Sequence, residues 1–162
     1  MIEAGQKPSV YLESSIVSYL VGRLSPLPEN KRKQSITRKW WESLHHFEPI
    51  ISTYVVEEIS EGDDKLSVTR RNLVGSFRML LGNEEIERLG NFYLTSTGLP
   101  ESARLDTYHI ACATIYRIDF LLTWNLNHIN NGNVRKKIED INRVRKIATP
   151  VICTPEELTE VI

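Results

Sequence analysis

Residues 10–20 read VYLESSIVSYL. Val10, Tyr11 and Leu12 are three residues of good strand character, and they run straight into a carboxylate, Glu13. Two hydroxyls follow, Ser14 and Ser15, and then Ile16, Val17, Tyr19 and Leu20 resume at helical spacing. A short apolar strand that passes at once into a helix is the opening unit of an α/β chain. Glu13 stands at the junction. Either it favours the positive end of the helix, or it belongs to a site.

The same unit recurs along the chain. Ile50-Ile51, the run Phe120, Leu121, Leu122, and the run Val151, Ile152, Cys153 read as three further short strands. Helices are expected over about 14–21, 31–46, from 54 to the break at Gly62-Asp63, then 64–81, 84–95, 101–116 and 134–146. Pro26 and Pro28 read as breakers in the loop 22–31, and Pro49 as the end of the second long helical region. Ser52 or Thr53 can cap the helix near Tyr54, and Thr154 with Glu157 resembles a capping box for a last helix. Continuous apolar strands alternating with helices imply an α/β fold with a buried parallel sheet.

A chain of 162 residues is expected to form one domain, spanning 1–162, with a single core. Its net charge of -1 argues neither for nor against a polyanion partner, but the distribution is uneven. Residues 31–39 (KRKQSITRK) hold five basic side chains and no acid; residues 135–146 (RKKIEDINRVRK) hold six against Glu139 and Asp140. Each cluster is a solvated face or a phosphate-contacting rim. Cys112 and Cys153 stand apart among apolar neighbours and read as buried small side chains. The N-terminal MIEAGQKPS has no signal-peptide core and no run approaches a membrane span, so the protein is expected to work in the cytoplasm.

In open α/β sheets, ligands bind at the carboxyl ends of strands. Glu13 follows the first strand, Glu58 lies one turn into the helix after the second, and Asn125 follows the third. Val55, Val56 and Ile59 define the apolar face of the second helix; Glu57 points away from it, and Glu58 flanks its edge. Asp106 shares a stripe with Ala103, Ile110 and Ala113, where a carboxylate is costly unless paired or coordinated. A salt bridge or a helix-start acid would also account for it. Three acids on separate elements point to a hard divalent cation, Mg²⁺ or Mn²⁺. There is no phosphate-binding glycine loop, no serine-nucleophile elbow and no zinc-binding histidine pair.

Four motifs, in order, are YLESSIVSYL (11–20), STYVVEEISEGD (52–63), LDTYHIACA (105–113) and DFLLTWNLNHI (119–129). Together they resemble the PIN-domain family, and within it the VapC-like toxins of toxin–antitoxin pairs. The segment QSITRKWWESL (34–44) resembles a helix of one VapC-like branch. The resemblance implies a three-layer α/β/α sandwich with a short, mainly parallel central sheet. It implies a Mg²⁺- or Mn²⁺-dependent endoribonuclease, with Glu13, Glu58 and Asp106 as cation ligands and Asn125 at the fourth site position. It also implies an RNA substrate, a cognate antitoxin and a homodimer, with residues 64–98 as the docking or dimerisation region. Two positions depart from the family pattern. Glu13 stands where Asp is usual, and Asn125 stands where an acid is common.

Those departures motivate a second reading, a PIN-like module that binds RNA or protein with little or no turnover. A receiver-like signalling domain would need an acidic pair before the first helix and an acceptor Asp at a strand end, and the sequence has neither. His109, three residues after Asp106, reads either as a partner of a carboxylate or as a core histidine. His128 either sits beside Asn125 at the site or caps the next helix. Ser14 and Thr123 either orient water or phosphate, or cap. Trp40, Trp41 and Trp124 either stack bases or pack.

Overall fold

The computed structural model of the chain describes residues 5–159. Residues 1–4, part of the N-terminal segment read as having no signal-peptide core, and Glu160, Val161 and Ile162 of the expected last helix lie outside the described residues. Five strands form one sheet: β1 (Ser9–Leu12), β2 (Glu48–Ser52), β3 (Arg78–Leu80), β4 (Phe120–Leu122) and β5 (Val151–Cys153). Their order is β3-β2-β1-β4-β5, and every described pairing is parallel.

Seven helices supply the crossovers: α1 (Ser14–Leu20), α2 (Pro28–Trp41), α3 (Thr53–Ile59), α4 (Asp64–Val74), α5 (Glu84–Thr97), α6 (Arg104–Ile115) and α7 (Gly132–Arg145). Crossovers between parallel strands are right-handed. The chain steps outward from β1 through β2 to β3, which lays α1–α4 on one face. It then returns to β4 and continues to β5, which lays α5–α7 on the other. The helix contacts agree: α1 meets α2, α3 and α4, while α5 meets α6 and α7. The result is a three-layer α/β/α sandwich with a central parallel sheet, as expected.

Burial on both faces explains why the strands read as unbroken apolar runs. Val10, Tyr11, Leu12, Ile50, Leu121 and Leu122 are fully buried. The cysteines are also buried, and desolvation pushes both thiols up to about 12, so they are packing groups. Trp40 and Trp124 are buried too, their indole N–H groups donating to Leu158 O at 2.9 Å and Thr37 Oγ1 at 2.7 Å; Trp41 packs on Phe77. Trp40 and Trp124 therefore serve as packing groups, and Trp41 is half-buried.

Five expectations need correction. Residues 64–81 are a helix followed by a strand: α4 ends at Val74, and Arg78–Leu80 forms the edge strand β3. Pro28 does not break a helix but starts α2, at the position where a missing N–H costs nothing. α2 ends at Trp41, with a separate 3₁₀ turn at Leu44–His46. Pro49 lies within β2, opposite Val10 and ahead of the β2–β3 register, which begins at Ile50. The capping box at Thr154 forms reciprocally, with N–H to Oε1 at 3.0 Å and N–H to Oγ1 at 3.2 Å, yet a turn and no helix follows among the described residues.

α6 carries two residues of the site described below, and its depth is set by Gly90 of α5. A Cβ at Gly90 would drive into the Tyr108 ring and stand 3.3 Å from the Thr107 carbonyl carbon. Gly90→Ala gains about 1 kcal/mol of helix propensity. Overpacking, which costs about 1–3 kcal/mol, is expected to outweigh that gain, measurable as a lower midpoint of chemical denaturation.

Candidate metal centre

β1 and β4 lie side by side at the centre of the sheet, and the chain leaves them in opposite directions. In open α/β sheets such a divergence is where a ligand crevice forms, beyond the carboxyl ends of the strands. Glu13 follows β1 directly, its N–H donating to Leu122 O of β4 at 3.1 Å. Thr123, Trp124 and Asn125 follow β4. The first and fourth sequence-predicted site positions thus follow the carboxyl ends of neighbouring strands.

Glu13 answers both readings of its position. It is the N-cap of α1, with Oε2 accepting from the Ser15 N–H at 3.1 Å. Its Oε1 accepts from Ser15 Oγ at 2.5 Å and from Thr123 Oγ1 at 2.6 Å. The residue is only 4% exposed. It also belongs to a cluster: one ligand atom each from Glu13, Glu58 and His109 lie within 4.8 Å of one another.

Glu58 arrives from α3, which Ser52 caps by accepting from the Val55 N–H. Its neighbour Glu57 is exposed, as the helical phase required. Glu58 Oε1 accepts from Ser14 Oγ at 2.8 Å and bonds His109 Nε2. Burial pushes the Glu58 carboxyl up. The hydrogen bond and charge of His109, with the Ser14 bond, outweigh burial and hold it below the usual carboxylate range. For His109 burial pushes down, while the Glu58 bond and charge, with the fields of Glu13 and Asp106, hold it above its ordinary value.

Asp106 lies in the first turn of α6, partly exposed at the edge of the stripe that buries Ala103, Ile110 and Ala113. Its Oδ2 bonds His128 Nδ1 at 2.9 Å, and its carboxylate is outside the Glu13–Glu58–His109 constellation. Asn125 Oδ1 accepts from the N–H groups of Asn127 at 3.3 Å and His128 at 2.9 Å. The amide therefore folds the turn that brings His128 to Asp106, a role the sequence reading did not assign to it. Sequence reasoning also left Tyr11 unassigned, although its hydroxyl lies 2.7 Å from His109 Nδ1 and 2.6 Å from Ser52 Oγ.

The residues suit a hard divalent cation. The donor set is mainly carboxylate oxygen, the choice of Mg²⁺ and Mn²⁺. Among the described residues neither Glu58 Oε2 nor Asp106 Oδ1 accepts a hydrogen bond, so each acid keeps an oxygen in reserve. At the rim, the Lys33 ammonium stands over the Trp124 ring, 5.7 Å from its centroid, which brings one of the basic side chains of 31–39 close to the crevice. The α7 cluster is tied down in part on the opposite layer: Asp140 bridges Lys136 and Arg143, and Arg145 covers Phe92. No described helix is long and apolar enough to cross a membrane.

Neither a protein-family model nor a curated protein sequence matches the chain. Solved structures do. The chain is similar to VapC20 of Mycobacterium tuberculosis, a Sarcin-Ricin loop cleaving toxin, with a TM-score of 0.60 at 13% identity over 74% of this chain and 92% of that one. It is similar to VapBC2 of Rickettsia felis, solved with a DNA fragment from their promoter, with a TM-score of 0.55 at 14% identity over 90% and 97%. It is also similar to VapBC-1 of nontypeable Haemophilus influenzae, with a TM-score of 0.52 at 15% identity over 91% and 98%. At such identities the shared property is the fold.

Proposed function

We propose that the chain is a divalent-cation-dependent endoribonuclease and the toxin of a toxin–antitoxin pair. The observation that carries this reading is the convergence of Glu13 and Glu58, with Asp106 nearby, on the switch-point crevice of a fold shared with VapC structures. Glu13, Glu58 and Asp106 would hold Mg²⁺ or Mn²⁺. When bound, the cation supplies Lewis acidity that ionises a water and offsets charge developing at the scissile phosphate.

The chain's own residues supply position and charge. Thr123 and Ser15 hold Glu13 in place, and Ser14 and His109 hold Glu58. His128 holds Asp106 from the loop that Asn125 folds, so Asn125 acts on the site through His128. Lys33, with the other basic residues of α2, guides the RNA backbone, and binding weakens as salt rises. The partners are an RNA, a cognate antitoxin and a second copy of the chain, in the cytoplasm. One neighbour is named as a cleaving toxin and two carry the VapBC name of a paired system, and both facts support this assignment.

The test is cleavage of structured RNA, including a ribosomal stem-loop, with Mg²⁺, Mn²⁺ or EDTA. Cleavage is expected only with the cations, and Asp106→Asn is expected to reduce it by about 10²-fold. RNA binding that ignores cations, without cleavage, would replace this reading with that of a binding module, which Asn125 and the separation of Asp106 from the cluster favour.

A further inference from the structure

Tyr11, Ser52 and His109 are all fully buried, and between them run hydrogen bonds that cross three elements. Both ends of this chain have a fixed direction. At one end, the Val55 backbone N–H can only donate, and it donates to Ser52 Oγ at 3.3 Å. At the other, the Glu58 carboxylate has no hydrogen to give and can only accept, as it does from Ser14 Oγ at 2.8 Å. Its bond to His109 therefore requires a proton on Nε2. That holds for the neutral ring and for the imidazolium alike.

The middle follows from counting hydrogens. Ser52 Oγ already receives the Val55 N–H, so its own hydrogen goes to Tyr11 Oη, 2.6 Å away. With the ring neutral, Tyr11 then donates to His109 Nδ1 at 2.7 Å, and Nε2–H donates to Glu58. Each member donates once and accepts once. Reversing the chain would leave the buried Ser52 hydroxyl hydrogen without an acceptor among the described residues, which is unfavourable where no water reaches.

We propose that His109 is a positioning residue, held by the Val55–Ser52–Tyr11 relay, whose Nε2–H clamps Glu58 Oε1 and which does not itself ligate the cation. This rests on the cation-dependent function proposed above, and it narrows the ligands there. Glu58 Oε1 is committed to His109 and Ser14, so Oε2 is the oxygen that faces a cation. The relay also fixes a distance. Tyr11 lies two residues before Glu13 on β1, and Ser52 caps the helix that carries Glu58. Through His109 the same bonds join α3 to α6, which carries Asp106. One buried chain thereby sets three acids on three elements relative to each other.

Two measurements test this. The first is ¹⁵N NMR of the labelled, metal-free protein, with the His109 signals assigned by their loss in His109→Gln. In the neutral ring, read at mildly alkaline pH, a protonated Nε2 and a hydrogen-bonded, unprotonated Nδ1 are expected, and Tyr11→Phe is expected to move Nδ1 to the value of an unbonded nitrogen. A neutral ring protonated on Nδ1 instead, or a Tyr11→Phe spectrum unchanged at Nδ1, overturns the relay. The second is electron spin-echo spectroscopy of bound Mn²⁺, with no coupling to a histidine nitrogen expected. Coupling present in the parent and absent in His109→Gln overturns the positioning role in favour of direct ligation. In titrations His109→Gln, whose amide N–H can replace Nε2–H, is expected to keep Mn²⁺ affinity within about threefold, and His109→Leu to lose about 10- to 100-fold. A Gln variant as weak as the Leu variant also overturns the clamp. If Mn²⁺ does not bind the parent protein at all, the proposed function falls, while the NMR result still decides the relay.

Discussion

Glu58→Gln is expected to lower cation-dependent RNA cleavage by about 10²- to 10³-fold while leaving the fold intact. The amide has the shape of the carboxylate, and its oxygen can take the place of Oε1, accepting from Ser14 Oγ and His109 Nε2–H. The inner half of the site is preserved. The outer atom becomes an NH₂ group, a donor with no charge, and it replaces the one oxygen of Glu58 that the protein leaves unbonded. On the proposed reading a cation loses a ligand there and keeps all of its supports. Initial rates at saturating Mn²⁺, paired with thermal melts, separate the two effects. Glu57→Gln, one residue away on the exposed face, is the control and should leave the rate unchanged. Equal rates for both variants would remove Glu58 from the site.

The contrast between these neighbours was legible in the sequence, because Val55, Val56 and Ile59 fix the phase of α3. The buried strands were legible for a similar reason: burial on both faces leaves an unbroken apolar run. β3 was not. It is three residues long at the sheet edge, with Arg78 and Met79 exposed and Leu80 alone buried, so it carries neither alternation nor an apolar run. Its pattern merged with that of α4. Pro28 misled because the same fixed φ that breaks a helix interior favours a helix start.

At the site, local pattern located the acids but not what holds them. Asp106 is met by a histidine from a loop 22 residues later, shaped by an Asn that stands where an acid is common. Tyr11 reads as one more strand residue. Its hydroxyl matters only because the sheet brings Ser52 and His109 to it across separations of 41 and 98 residues. Hydrogen bonds between elements that distant leave no periodicity to read.

Glu13→Ala is expected to differ from Glu58→Gln by costing stability as well as cleavage. The Glu13 carboxylate accepts from Ser15 Oγ, Ser15 N–H and Thr123 Oγ1. Those hydroxyls have second duties: Ser15 Oγ accepts from the Trp124 N–H at 2.9 Å, and Thr123 Oγ1 from the Asn125 N–H at 2.9 Å. Removing the acid strands two hydroxyl hydrogens, one on a fully buried side chain, and loosens the start of the loop that carries His128. A stranded buried donor costs about 1–3 kcal/mol. Against this stands the relief of repulsion between Glu13 and Glu58, whose oxygens lie within 4.8 Å of each other. The loss is expected to prevail in the metal-free protein, because hydrogen bonds from His109 and Ser14 already stabilise the Glu58 carboxylate. The melting temperature should fall by about 2–4 °C for each kcal/mol lost. Mn²⁺ should raise the melting temperature of the parent, since a ligand that binds only the folded state stabilises it, and should raise that of Glu13→Ala far less. Glu13→Asp, a methylene shorter, should fall between them, because its oxygens cannot reach Ser15 and Thr123 together without movement of the backbone. A Glu13→Ala protein that is as stable as the parent, still gains stability from Mn²⁺ and still cuts RNA would make Glu13 a helix cap and nothing more.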